Sequence, residues 1–188
     1  MKPEVRIVTI SKQLSGRWTL PILLHIRTEG DRFSPLQKRL QISPSRLSSN
    51  LQSLINEGVL HHIRAEDRHH PLFPEYTLTD KGRFLKEAAH ILSASEQQLN
   101  VGSLSQKAWN WPILMAIHHH CSRFNEIRGL LHTATPRILS TRLQELKEIN
   151  IVSKTVVLHP TPASSYTLSQ EAAPILRTAN EDLLSIID

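Results

Sequence analysis

Two segments of the chain place arginine, glutamine and hydroxyl side chains opposite an apolar stripe that repeats with helical spacing. The stripes are built from leucines, namely Leu47, Leu51 and Leu54 in the first segment and Leu139, Leu143 and Leu146 in the second. Arginine can donate two hydrogen bonds to guanine, glutamine can pair in the same way with adenine, and hydroxyl groups suit phosphate oxygens. The pattern therefore predicts two helices whose polar faces bind double-stranded DNA.

The candidate DNA-binding residues lie away from the leucine stripes. The first helix presents Ser45, Arg46, Ser49, Gln52 and Ser53, and the second presents Arg137, Thr141, Gln144 and Glu145, with Arg142 on its flank. Asn50 stands at the position that corresponds to Arg142. The glutamines and the arginines other than Arg142 are expected to touch base edges or nearby phosphates. Arg142 and the hydroxyl side chains are expected to position the helices on the DNA backbone.

A predicted β-hairpin after each of these helices supplies a second group of candidates. Around the tip of the first hairpin lie His61, His62, Arg64, Arg68, His69 and His70. Arg64 and Arg68 are expected to contact phosphates, as the wing of a winged helix does. The second hairpin, over residues 158–165, has no cation, and Lys154 in its first strand is the nearest one. This makes the second hairpin a poorer candidate for holding DNA.

The elements that position these residues occur twice, at intervals of 90 to 92 residues. Residues 18–24 recur as 109–115, Arg32-Phe33 recurs as Arg123-Phe124, and Tyr76-Thr77-Leu78 recurs as Tyr166-Thr167-Leu168. Matching blocks in the same order indicate two copies of one unit of about 90 residues, the size of a small domain. The predicted domains are residues 1–95 and residues 96–188.

Each copy reads as helix, short helix, turn, helix, hairpin and helix, which is the order of a winged helix-turn-helix. Ser43 or Thr135 is expected at the N-cap of the third helix, followed by proline at the first helical position. Gly58 and Asn150 are expected to end this helix, because both tolerate the left-handed conformation. The predicted fold class is mainly α with small β-hairpin wings (α+β). Two tandem winged helix-turn-helix domains are expected to form a pseudo-dimer.

Composition and charge exclude several classes of protein. The chain has 188 residues and a net charge of +5. Residues 1–95 hold 14 basic and 9 acidic side chains, against 8 of each in residues 96–188, so the basic excess lies in the first copy. No apolar run approaches the roughly 20 residues of a membrane span. Neither the start of the chain nor its single cysteine indicates secretion, and a cytoplasmic location is expected.

No catalytic or metal-binding pattern is visible in the sequence. The acidic residues are scattered, and six glycines supply no phosphate-binding loop. The histidine pairs of the first hairpin, and Cys121 beside His118, His119 and His120, lack the spacing of a zinc site. We therefore expect no enzymatic activity, no metal and no cofactor.

The motifs resemble those of the HxlR-type family of bacterial and archaeal transcriptional regulators. The resemblance rests on Gly16-Arg17-Trp18-Thr19-Leu20, Arg32-Phe33, Ile42-Ser43-Pro44 with Leu47-Ser48, and Glu75-Tyr76-Thr77-Leu78-Thr79 with Lys81-Gly82. It implies a winged helix-turn-helix that regulates transcription by reading the major groove with its third helix. Family members usually carry one winged helix per chain and act as homodimers, so two fused copies resemble a dimer made covalent. Because Asn50 and Arg142 occupy equivalent positions in the two copies but differ in chemistry, an asymmetric DNA site is expected.

One feature of some relatives is missing from this chain, and two questions of assembly stay open. Those relatives sense oxidants through a cysteine before the first helix, where this chain has Ser11 and Ser15, so that mechanism is not carried over. The alternative function is a winged-helix protein-interaction module in which the second repeat packs or dimerises rather than reading DNA. The apolar C-terminal residues Leu183, Leu184, Ile186 and Ile187 leave room for a homodimer through terminal helices. The sequence indicates no particular effector, operator or target gene, and it does not separate activation from repression.

Overall fold

The computed structural model of the chain describes residues 3–67, 74–157 and 163–187. Its α-helices are α1 (Pro3–Gln13), α2 (Thr19–His25), α3 (Phe33–Leu40), α4 (Pro44–Asn56), α5 (Asp80–Leu99), α6 (Asn110–His118), α7 (Phe124–Leu130), α8 (Pro136–Glu148) and α9 (Ala172–Ser185). Its strands are β1 (Leu60–His62), β2 (Tyr76–Leu78), β3 (Val152–Val157) and β4 (Ala163–Leu168). The order α2–α3–α4–β1–β2–α5 recurs as α6–α7–α8–β3–β4–α9. The predicted fold class and the two winged helix-turn-helix repeats are confirmed.

Local signals in the sequence set the ends of the two third helices, α4 and α8. Pro44 and Pro136 occupy the first turn, where the missing N–H costs no helical hydrogen bond. Thr135 caps α8, since its hydroxyl oxygen accepts a hydrogen bond from the backbone N–H of Ile138 at 3.3 Å. Ser43 holds the same position before α4 but makes no side-chain capping bond. After the helices, Gly58 and Asn150 have φ values of 69° and 57°, the expected left-handed stops.

Each third helix packs its leucine stripe into the core of its own repeat. The six leucines of the two stripes are at most 3% exposed, and burying each one contributes about 1.5–3 kcal/mol of hydrophobic stabilisation. Because residues three and four apart share one face of a helix, this burial turns the opposite face outward.

The wings are antiparallel two-stranded hairpins. In the first, Leu60 pairs with Leu78, and in the second, Val152 pairs with Leu168. An isolated bridge widens each hairpin, from Asp31 to Tyr76 in the first repeat and from Arg123 to Ser165 in the second. Each wing is thereby tied to the backbone just before the helix-turn-helix.

The chain divides into two compact units, of which one is Gly16–His90. In this unit the side chain of Asp31 is fully buried and accepts hydrogen bonds from Arg39, from the side chain of Arg27 and, at 2.9 Å, from the backbone N–H of Arg27. Burial alone would raise the pKa of Asp31, but the hydrogen bonds and charges of Arg39 and Arg27 hold it below its ordinary value. This carboxylate therefore joins the segment after α2 to the helix α3, while the backbone of the same residue pairs with Tyr76 of the wing.

Helix α5 is fixed to the same unit at its N-terminus and along its second turn. The hydroxyl of Thr79 accepts a hydrogen bond from the N–H of Gly82 at 2.9 Å, and a Cβ at Gly82 would lie 2.1 Å from the carbonyl oxygen of Val59. Only glycine permits this close approach of helix and strand. Further along, the Lys86 ammonium group donates to the carbonyls of Leu23 and Ile26 at 2.8 and 2.7 Å and satisfies the end of α2.

The other unit joins the residues up to Ser15 with those from Ile91 onward. Within it, α1 packs against α6 and α9. Every residue of α6 from Asn110 to Ile117 is buried, as expected for a helix that is apolar on all sides. The domain division predicted at residue 95 stays a prediction. The structure groups α1 with the second repeat, which the sequence did not indicate.

The end of α5 is joined to the second repeat by a buried carboxylate. Glu96 accepts hydrogen bonds from the backbone N–H of Ser105 at 2.6 Å and from the indole N–H of Trp111 at 2.8 Å. Trp111 itself is fully buried. In the part of the chain that the structure describes, no helix has the length and apolarity needed to cross a membrane.

Replacement Asp31→Asn is expected to lower the free energy of unfolding by about 2 kcal/mol at pH 7, because hydrogen bonds to a charged group are lost. Since the folded-state pKa of Asp31 lies below its ordinary value of 3.8, its contribution is complete above that pH. It is lost as the pH falls through the lower, folded-state pKa. Urea unfolding of the wild type and the variant between pH 3 and 7 measures this, and a difference independent of pH would contradict the ionic assignment.

Candidate nucleic-acid interface

Helix α4 presents an exposed polar face made by the predicted residues Ser45, Arg46, Ser49 and Gln52. The leucine stripe behind this face fixes its direction. The guanidinium group of Arg46 makes no hydrogen bond or ion pair with any residue that the structure describes. It is therefore available to an external acceptor.

The amide side chains of α4 make hydrogen bonds within the helix. Gln52 donates from Nε2 to Oδ1 of Asn56 at 2.9 Å, which leaves its own carbonyl oxygen exposed. Asn50 is half-buried and donates to the backbone carbonyl of Arg46 at 2.7 Å. Asn50 is thus held against the helix, whereas Gln52 lies on the outer face.

Helix α8 exposes Arg137, Thr141 and Gln144 on the equivalent face. Arg137 has no side-chain partner among the described residues. Thr141 donates its hydroxyl to the carbonyl of Arg137 at 2.9 Å, and Gln144 donates to the carboxylate of Glu148 at 3.0 Å. Arg137 is consequently the most available donor of this helix.

Arg142 lies in a different environment from Arg137, because it forms an ion pair with Glu145. Glu145 also pairs with Lys107 at 3.1 Å, and the Arg142 side chain is only 24% exposed. Burial tends to raise the pKa of Glu145, but the hydrogen bond from Lys107 and the charges of both cations hold it below its ordinary value. The second helix therefore carries an ionised carboxylate at the edge of its outer face.

The equivalent positions of α4 differ in chemistry. Ser53 takes the place of Glu145, and its hydroxyl donates to Glu57 at 2.9 Å, beyond the end of the helix. Conversely, the position of Arg46 is occupied in α8 by Ile138, which is 38% exposed. A free arginine in one helix thus corresponds to an apolar side chain in the other.

The two wings also differ in the charged and apolar side chains that they present. In the first, Arg64 is exposed and lies 3.4 Å from the carboxylate of Glu66, a weak surface ion pair. His62 stacks on Tyr76 with 5.0 Å between ring centroids. Arg68, the other predicted wing contact, lies outside the described residues. In the second wing, Lys154 lies over the ring of Tyr166, and Val156 is 63% exposed.

Of the predicted helix residues, Ser45, Arg46, Ser49 and Gln52 share the outer face of α4, and Arg137, Thr141 and Gln144 share that of α8. Arg64 lies on the first wing, whereas Arg142 and Asn50 are held against their helices. The sequence interpretation missed the partners that restrain them. Asn56 and Glu148 follow the glutamines by four residues, and Glu145 follows Arg142 by three, so helical spacing alone could have indicated these pairs. Lys107 is far from Glu145 in sequence, and no local signal indicates that contact.

No metal-binding cluster of three or more histidine, cysteine or acidic side chains occurs among the residues that the structure describes. Cys121, three residues after the end of α6, is half-buried.

Comparison with protein families gives a match to both repeats. The model of the HxlR-like helix-turn-helix family matches residues 13–100 and again residues 104–180. These two ranges include α4 with its wing and α8 with its wing.

Two relatives each match a stretch of this chain that is about as long as one repeat. The HTH-type transcriptional regulator YdzF of Bacillus subtilis (strain 168) is 35% identical over 74 residues, which are 38% of this chain and 66% of that protein. A protein of Fusobacterium mortiferum named as a regulatory protein, MalR, is 32% identical over 81 residues, 42% of this chain and 74% of its own. The chain thus spans just under two thirds of the first relative.

Among solved structures, the diamide-treated YodB from B. subtilis is 24% identical, with a TM-score of 0.34. The match covers 50% of this chain and 84% of that one.

Replacement Glu145→Ser, which installs the residue of the first repeat, is expected to strengthen binding to duplex DNA. It removes a negative charge and releases the guanidinium of Arg142 for a phosphate. The slope of log K against log salt should steepen by about 0.9, the value for one further phosphate contact. Fluorescence anisotropy between 50 and 200 mM salt measures this slope. Glu171→Ser, an equal charge change outside α8, is the control, and equal effects of the two variants would contradict the release of Arg142.

Proposed function

Because the chain belongs to the HxlR-like helix-turn-helix family, we propose that it is a transcriptional regulator that binds double-stranded DNA with α4 and α8. The observation that carries this proposal is the exposed face of α4. On this face the guanidinium of Arg46 is unpaired among the described residues, and the buried leucine stripe lies on the opposite side of the helix. In helix-turn-helix proteins, the N-terminal residues of the second helix contact base edges in the major groove. Ser45, Arg46 and Ser49 occupy the first two turns of α4, where such contacts are made.

In this proposal α4 supplies most of the sequence reading. Arg46 donates to a guanine, and Gln52, whose carbonyl oxygen is exposed, meets an adenine or a nearby phosphate. Ser45 and Ser49 hold the helix on the backbone. The basic excess of residues 1–95 attracts the phosphate backbone and aids binding regardless of sequence.

Helix α8 binds the second half of the site more weakly. Arg137 is its free donor, while the ionised Glu145 repels phosphates and restrains Arg142. Thr141 and Gln144 add contacts to the backbone or to a base edge. With Asn50 opposite Arg142 in the alignment of the repeats, the DNA site is asymmetric.

The wings extend the contact beyond the major groove. Arg64 of the first wing reaches a neighbouring phosphate, because its pairing with Glu66 is exposed and easily exchanged. Arg68 is assigned the same role from the sequence. The second wing offers Lys154 alone for this purpose, so the first wing makes the stronger contact.

One chain presents both third helices, as a pseudo-dimer of the domains 1–95 and 96–188. We place its action in the cytoplasm, where it meets DNA, and assign it no enzymatic step. Pairing of two chains through their terminal helices is a further proposal. Leu183 is fully buried within its own unit, which leaves the partly exposed Leu184, Ile186 and Ile187 for such a contact.

A specific observation favours a second candidate function, in which the second repeat binds protein instead of DNA. The large apolar side chains exposed among the described residues are Ile138, Ile149 and Val156, and all three belong to α8, its end and its wing. Apolar side chains are suited to the centre of a protein interface and not to phosphates. This candidate keeps α4 as the DNA reader.

Replacement Arg46→Ala is expected to cost about 1–3 kcal/mol of binding to the preferred duplex, the usual contribution of an arginine that reads a base. Arg137→Ala should cost less. Titrations of the preferred duplex and of a scrambled duplex separate base reading from phosphate contact.

The control for both variants is Arg6→Ala, an equal charge change on α1, for which less than a twofold effect is expected. If Arg46→Ala weakened binding to both duplexes equally, Arg46 would be a phosphate contact and base reading by Arg46 would be refuted.

A further inference from the structure

A polar cavity of about 250 Å³ lies at the C-terminal end of α5, and the DNA-binding proposal does not use it. Its walls come from the last turns of α5 and from the segment that follows, all within one compact unit. The lining consists of polar side chains and one glycine, namely Ser93, Glu96, Gln97, Asn100, Gly102 and Ser103. None of these residues is basic, and Glu96 alone carries a charge.

Glu96 is a buried carboxylate without a positive partner among the described residues. It is 8% exposed and forms no ion pair with any lysine, arginine or histidine that the structure describes. Glutamate is almost never buried so deeply unless it is paired, because removing an isolated charge from water costs free energy. A cation from outside the described residues would therefore compensate a charge that these residues leave uncompensated.

The hydrogen bonds of Glu96 leave one of its two oxygens for such a cation. Both the backbone N–H of Ser105 and the indole N–H of Trp111 donate to Oε1. A glutamine could accept the same two bonds through its own Oε1, so these contacts do not explain a charge at this position. Oε2 accepts no hydrogen bond from any described residue and is not fully enclosed by the protein. Because Glu96 lines the cavity, Oε2 is the atom that a ligand there can reach.

The end of α5 adds to the negative potential of the cavity. The C-terminus of a helix carries a partial negative charge, which basic side chains in the last turn commonly complement. The last turn of α5 contains no basic side chain. In addition, the side chains of Ser93, Gln97 and Asn100 make no hydrogen bond with any described residue. Their oxygens are therefore available to a ligand that donates hydrogen bonds.

We propose that this cavity binds a small primary amine in its ammonium form. One N–H of the ammonium group donates to Oε2 of Glu96, and the others bind hydroxyl and amide oxygens of the lining. A divalent metal ion fits less well, because such ions are usually held by several carboxylates and the lining supplies one. The same count favours a monoamine over a diamine, since a second ammonium group would have no carboxylate to pair with.

The test follows the NMR signal of the Trp111 indole N–H, which reports on Glu96 because it donates to Oε1. The full-length chain without DNA is titrated with propylammonium chloride at pH 7 and constant ionic strength. We expect a saturable shift of this signal, while the indole signal of Trp18, which lies in the other compact unit, stays unchanged. n-Propanol, which lacks the charge, and tetramethylammonium chloride, which lacks N–H donors, should bind at least tenfold more weakly.

Three results of this titration would overturn the proposal. The first is a comparable affinity for propylammonium and either control compound. The second is no saturation by propylammonium up to about 10 mM, a concentration at which binding is very weak. The third is saturation by potassium or magnesium chloride at a lower concentration than by propylammonium, which would assign the site to a metal ion.

The variant Glu96→Gln tests the charge, because it keeps an acceptor oxygen for Ser105 and Trp111. It should weaken binding of propylammonium at least tenfold. Glu87→Gln, the same change at an exposed position of α5 outside the lining, is the control and should change binding less than twofold. Equal binding by the two variants would refute the assignment. Thermal unfolding without ligand checks that each variant is folded.

A second pair of variants leaves Glu96 intact and decides if Glu96→Gln is unstable. Gln97→Lys places an ammonium group on the wall of the cavity, so it should compete with propylammonium and weaken its binding at least tenfold. Gln98→Lys adds the same charge at the next residue, which is also exposed but does not line the cavity, and a change below twofold is expected. Equal binding by these two variants would likewise refute the site. Because no DNA is present, these outcomes are independent of the DNA-binding proposal.

Discussion

The burial of one leucine stripe in each third helix is the constraint on which the rest of the interface depends. Since the three leucines of each stripe are almost completely removed from water, neither helix can rotate without exposing them. The polar residues between the leucines are therefore held outward in a fixed direction. In the first repeat, the buried carboxylate of Asp31 also joins the segment after α2 to α3, and the backbone of Asp31 pairs with the wing. The orientation of the outward-facing polar side chains thus follows from the packing behind them.

Duplication has produced two frames of the same kind with different chemistry on their outer faces. The first has a free Arg46 and Ser53 where the second has Ile138 and an ionised Glu145. In the second repeat, α6 is buried from Asn110 to Ile117, and α1 is one of the elements that pack against it. These differences underlie the proposed division of roles, in which the first repeat reads DNA and the second contributes a weaker DNA contact or a protein contact.

Local patterns in the sequence were sufficient to predict the repeated fold. Leucine spacing, Pro44 and Pro136 at the helix starts, and the left-handed stop at Asn150 all act within a few residues, so the predicted third helices are confirmed. The grouping of α1 with the second repeat and the contact of Glu96 with Trp111 depend on tertiary packing, which periodicity does not encode. The ion pair of Arg142 with Glu145 could have been predicted from helical spacing. The contact of Lys107 with Glu145 could not, because the two residues are far apart in sequence.

Selection of duplexes from a random pool by the purified chain, first at moderate and then at high salt, tests the central claim most directly. The proposal predicts enrichment of a site with two half-sites about one helical turn apart, as for paired helix-turn-helix units. The half-site bound by the first repeat should be the more strongly specified. Weak binding that disappears with salt and enriches no sequence would contradict DNA reading by this chain.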